Sequence, residues 1–177
     1  EDVFSPTGVA PRPEVAAKLT RRSRSAAATT LAMTVARETF EETGLLLCGK
    51  AADYGAGTVP DTPLWRAYQA AGALPDLEAL DYIARAITPS FSPKRFNTRF
   101  FMTDAGHFRG DLQGDAELLH VHWVPLADAG QRLKVANITQ FILDLATHYL
   151  AATPAARARR TVPLRYHVGK TRRVIDE

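Results

Sequence analysis

A single cysteine, Cys48, stands in this sequence of 177 residues, so no disulfide can form within the chain. A small secreted domain framed by disulfides is thereby excluded, and a reducing, cytoplasmic setting is the default expectation. Cys48 itself is expected in the core, where unpaired cysteine is commonly found. No apolar run approaches the ~20 residues of a membrane-spanning helix, and no leader pattern opens the sequence at Glu1. A strong charge bias is missing too. The formal net charge is +3, which would help a small anion approach but is no nucleic-acid footprint by itself. Neither nucleic acid nor membrane is expected as a partner. No internal repeat and no linker divides the chain.

What is present is ordinary for a globular protein: 46% hydrophobic and 23% charged residues. The length suits one domain with a real core and is short for two. Pro and Gly make residues 1–13 irregular, a short helix with Pro13 in its first turn follows, and a basic connector spans residues 20–25. A long helix is predicted over 25–43, stopped by Gly44. Helices are predicted over 62–71 and 74–80, and strands over 81–88 and 98–105. A loop carrying Pro89, Pro93, Lys94 and Arg95 joins those strands. Residues 117–126 alternate like a strand and run into a Pro-led turn. Ile138, Phe141, Ile142, Leu145 and Tyr149 form the stripe of an amphipathic helix over 138–152. An Arg/Ala-rich connector leads to a hairpin over 163–175, turning at Gly169.

The long helix carries the chemistry. Glu38, Glu41 and Glu42 stand three and four residues apart, so they project together from one helical face. At about 100° per residue they continue the stripe begun by Leu31 and Val35, which is expected to face the core. Met33 and Phe40 are apolar on the other side, so cover on two faces is expected. Like charges beside a core repel and lose solvation unless a cation balances them. Glu near a helix C-terminus also opposes the macrodipole. Oxygen ligands of this kind suit a hard divalent cation, Mg²⁺ or Mn²⁺. The alternative from spacing alone is a solvated acidic helix end.

The run "RETFEETGLL" from Arg37 also resembles the second half of the Nudix box, R-E-apolar-x-E-E-x-G-apolar. Arg37, Glu38, Glu41, Glu42, Gly44 and Leu45 match, and Thr39 stands where an aliphatic residue is usual. Such a coincidence is expected about once in 10⁶ positions. "ITPSFSPKRFNTRFFMT" (87–103) and "DAELLHVHWVPLADA" (115–129) are similar to segments of coenzyme A diphosphatase-like Nudix hydrolases. The box normally opens with Gly and a further Glu upstream; Ser23 and Thr29 occupy those places, and no "P-G-G" turn occurs.

The resemblance implies an α/β fold, a Nudix-type α/β/α sandwich around a mixed sheet, with its N-terminal strands missing. It implies one domain: an irregular segment over 1–25, the recognisable core over 26–152 and the hairpin over 153–177. The implied activity is Mg²⁺- or Mn²⁺-dependent hydrolysis of a diphosphate linkage in a nucleoside diphosphate derivative. Coenzyme A-like molecules, ADP-ribose and dinucleotides are the candidate substrates, and a homodimer is compatible. Glu38, Glu41, Glu42 and Glu117 are the candidate metal ligands. Glu38 or Glu41 is the candidate general base, Arg37 the orienting residue, and Arg95 and Arg99 the phosphate-binding pair. The competing readings are a non-catalytic nucleotide-binding module and an inactive fragment. "HVGKT" (167–171) lacks the earlier Gly of a phosphate loop, with Leu164 in its place. His120 and His122 lack a third ligand nearby, and Trp65 and Trp123 are expected to pack.

Overall fold

A computed structural model describes residues 9–21, 28–51, 59–114, 121–132 and 134–177. The chain divides into two compact units. The first comprises Glu1–Leu80 and Thr103–His122, the second Asp81–Met102 and Trp123–Glu177.

In the first unit, helices α1 (Pro13–Thr20), α2 (Ala28–Thr43) and α3 (Pro63–Ala70) accompany strands β1 (Leu46–Ala51), β2 (Ala73–Pro75) and β5 (Phe108–Arg109). The strands form an antiparallel sheet in the order β2-β1-β5. Pro13 opens α1, where its missing N–H leaves no bond unmade. Thr62 caps α3 by accepting the Trp65 N–H, and Pro63 fills the first helical position. Helix α2 packs on β1, α1 and α3. Leu19, Met33, Leu47, Trp65, Tyr68 and Leu77 are buried at the centre. The Tyr68 hydroxyl donates to the Leu47 carbonyl at 2.9 Å, satisfying a polar group in an apolar core.

In the second unit, β3 (Asp81–Ile87), β4 (Asn97–Met102), β6 (Pro163–Val168) and β7 (Thr171–Asp176) form a mixed sheet in the order β4-β3-β6-β7. Only β3 and β6 run parallel; the other neighbours are antiparallel. Helix α5 (Asn137–Ala151) lies on β3, beside α4 (Leu126–Arg132), and α6 (Pro154–Arg159) follows. Ile83, Ala146 and Tyr149 form the core there, with Phe100, Met102, Leu126 and Ile142 packed around them. Arg157 closes the C-terminal end of α5: its Nε donates to the carbonyls of Tyr149 at 2.9 Å and Ala152 at 3.0 Å, and its other nitrogen reaches Leu150.

The α/β class and a mixed sheet are as expected. A second, all-antiparallel sheet accompanies it. Three local expectations are corrected. Residues 74–80 are not a helix: β2 ends at Pro75, and Asp76 caps a single 3-10 turn over Leu77–Ala79. Residues 121–125 are irregular rather than strand, and Leu126 already opens α4; residues 117–120 lie outside the described residues. Trp123 does not pack but is 62% exposed, whereas Trp65 is buried against Tyr68. The motif "HVGKT" is the tip of the β6–β7 hairpin, with Gly169 in the turn.

Candidate functional site

The floor of the site is the end of α2. Its buried residues are Ala28, Ala32, Met33 and Ala36, and Ala32 and Ala36 are wholly inaccessible. Small side chains let the helix backbone approach the elements beneath it closely. Gly44 ends the helix at φ +73°, and its N–H donates to the Phe40 carbonyl at 2.9 Å. The Thr43 carbonyl accepts the Gln113 N–H at 2.8 Å, which pins the loop over residues 111–114 to the helix end. A side chain at position 44 would meet the Asp111 carbonyl oxygen and Gln113 Cβ, both at 3.2 Å.

On the other side of α2, Arg37 bridges two acids. Its guanidinium donates to Glu38 Oε1 and, at 2.7 Å, to Glu41 Oε2. All three side chains are about half exposed, at 47%, 48% and 50%. Partial burial works against the Arg37 charge, but the hydrogen bond to Glu41 and the charges of Glu38 and Glu41 outweigh it. The guanidinium is held above its ordinary value. Glu42 is partly buried.

For Glu38 and Glu41 the expected inward aim is thereby corrected. Leu31 and Val35 are only partly buried, and the core stripe runs through the alanines and Met33 instead. That rotation turns Glu38 and Glu41 toward solvent, where carboxylates need no buried counter-charge.

A crystal structure of a NUDIX hydrolase from Alicyclobacillus acidocaldarius resembles this chain with a TM-score of 0.55 and 27% identity. The match covers 77% of this chain and 69% of that one. The fold is a Nudix fold. No family model and no curated protein matches the chain.

The run that resembles the second half of the Nudix box occupies the last turns of α2 and its glycine stop. Its donor set fits a hard divalent cation in kind: every side chain offered is a carboxylate, and Arg37 occupies one oxygen each of Glu38 and Glu41. Among the described residues, no three Asp, Glu, His or Cys side chains converge as a ready metal cage. Glu117 and His120 lie outside the described residues, and His122 is exposed. Arg95 and Arg99 belong to the second unit. Arg95 is exposed in the β3–β4 loop; Arg99 lies on β4 opposite Arg85, and its charge acts on the Tyr82 phenol.

One feature of the first unit was not foreseen. A pocket of about 400 Å³ is lined by Val9, Cys48, Leu74, Asp76, Leu77 and Glu78, among others. Asp76 accepts the Ala79 N–H at 3.2 Å and lies 3.0 Å from His107 Nδ1. Burial pushes the Cys48 thiol up, Arg109 opposes this, and Asp76 adds to it. The only signal in the sequence was Asp76 ahead of a short helical turn, a capping pattern rather than a ligand pattern.

Proposed function

We propose that the chain is a Nudix-type hydrolase that cleaves a diphosphate linkage in a nucleoside diphosphate derivative. The carrying observation is the Arg37 bridge to Glu38 and Glu41 on the open side of the α2 end, within a Nudix fold. The similarity of residues 87–103 and 115–129 to coenzyme A diphosphatase-like members supports a coenzyme A-like substrate.

Glu38, Glu41 and Glu42 would hold Mg²⁺ or Mn²⁺, with Glu117 as a further acid. When bound, such an ion neutralises the diphosphate and makes water a nucleophile near neutral pH. The chain's own groups do the rest. Arg37 engages Glu38 Oε1 and Glu41 Oε2, which limits the rotamers of both acids. The second oxygen of one of them, on Glu38 or Glu41, accepts the proton of the attacking water as general base. Arg95 and Arg99 are the candidates for bidentate contacts to phosphate oxygens.

Hydrolysis assays with coenzyme A, ADP-ribose and NADH, with and without Mg²⁺ or Mn²⁺, test this reading. Cation-dependent cleavage is expected, and Glu42→Gln, which removes a proposed cation ligand, is expected to abolish it. Tight nucleotide binding without turnover in any condition would replace the hydrolase by a binding module.

A further inference from the structure

Two segments of the second unit meet at one end of its sheet. The β3–β4 loop is closed at its base by the Thr88 N–H donating to the Phe96 carbonyl at 2.9 Å and the Phe96 N–H donating to Thr88 Oγ1 at 3.1 Å. Its crown reaches the β6–β7 hairpin: the Phe91 ring stands edge-on to His167 with centroids 6.4 Å apart, and His167 pairs with Arg172 across the hairpin. At this end Phe91, Phe96 and Val168 are 66%, 61% and 60% exposed. They are three of the four most exposed large apolar side chains among the described residues.

The two segments carry charge of one sign up to Ile175, and the acids Asp176 and Glu177 lie at the far end of β7, paired with Pro163 and Val162. Residues 88–96 and 163–175 contain no Asp or Glu but hold Lys94, Arg95, Arg165, Lys170, Arg172 and Arg173. All of these except Arg165 are exposed. Exposed apolar tips on segments that also carry exposed cations match a surface that is anionic outside and apolar just beneath, as a bilayer containing acidic lipid is. Single-stranded nucleic acid would use cations too, but it needs open ring faces in series. Val168 offers no ring, and Phe91 already has a ring neighbour. No helix among the described residues is long and apolar enough to cross a membrane, so such contact is peripheral.

We infer that the β3–β4 loop and the β6–β7 hairpin tip form a peripheral docking surface for anionic lipid bilayers, seating Phe91, Phe96 and Val168 at the interface. This departs from the expectation of no membrane partner, because the sequence separates the two segments by more than sixty positions and only the fold joins them.

Flotation of the full chain with vesicles tests it. Retention is expected on phosphatidylcholine vesicles containing phosphatidylserine and not on phosphatidylcholine alone, and it should fall as salt is raised. Lys94→Glu with Lys170→Glu should weaken retention by about fivefold or more per cation, and Phe91→Ser with Phe96→Ser by about tenfold. Lys134→Glu, a charge change at an exposed site elsewhere in the chain, should leave it unchanged. No retention, equal retention on neutral vesicles, or retention indifferent to the Lys94, Lys170 and Phe variants overturns the inference. Capture of a single-stranded oligonucleotide with no retention on vesicles overturns it in favour of nucleic acid.

Discussion

At the residue scale, the position that most constrains the site carries no side chain. Gly44 holds φ +73°, a conformation that costs an L-residue roughly 1 kcal/mol or more. It also lies where a Cβ would press on the Asp111 carbonyl, a backbone atom that cannot swing aside. Gly72 provides the control, with φ +58° and open space around the missing Cβ. Gly44→Ala is therefore expected to cost about 2 kcal/mol and Gly72→Ala about 1. Urea unfolding of the two variants checks the difference; equal losses would show that the 111–114 loop does not press on the helix end. Residue identity was also the most legible level of the sequence. Arg37, the glutamates and Gly44 could be placed on one helix with its stop because capping and i, i+4 spacing are local properties. The direction in which the acids face was not legible. Ala32 and Ala36 carry little hydrophobic signal, yet they are the most buried residues of α2, since a close approach rewards small side chains. Leu31 and Val35 drew the stripe toward the wrong side.

At the element scale, long periodic segments could be foreseen and short ones could not. Helices α3 and α5 and the strands β3, β4, β6 and β7 follow from periodicity or turn chemistry. Strands β2 and β5 have only three and two residues, too few for any period, and are fixed by pairing with β1. Their partners are remote in the chain, which no local pattern reports. The mixed sheet supplies a pH test of its packing. Tyr82 on β3 is 5% exposed and stacks near Phe101. Burial, with Glu177 adding and Arg99 and Arg85 opposing, pushes its phenol up to about 12 from 10. The folded state thus holds this proton more tightly than the unfolded chain does. Its stabilising contribution is complete below about pH 10 and is lost as pH rises toward 12. The stability of the native chain relative to Tyr82→Phe is expected to fall across that window by on the order of 2 kcal/mol. Denaturant unfolding at several alkaline pH values measures it, and a constant gap would mean that the phenol titrates normally.

At the scale of the whole molecule, cation binding offers a way to read the first unit alone. The acid-bearing helix belongs to the first unit, as does Trp65, which is 5% exposed; Trp123 belongs to the second and lies open to solvent. A Trp123→Phe chain therefore reports unfolding of the first unit through Trp65 fluorescence. An ion that binds only the folded chain stabilises it by about 2.7 kcal/mol at a hundredfold excess over its Kd. For a chain of this size that corresponds to a rise of about 5–10 °C in Tm. Mg²⁺ or Mn²⁺ is expected to raise the Trp65 transition by this order if the α2 carboxylates hold the ion. Glu38→Gln with Glu41→Gln should abolish the rise, even though removing two exposed acids costs little stability by itself. The measurement needs no substrate, so it separates cation binding from turnover. A rise that survives the double substitution would move the cation away from α2. With no rise in either chain, the Arg37 bridge would be left as an exposed ion pair, and hydrolysis would require ligands beyond Glu38, Glu41 and Glu42.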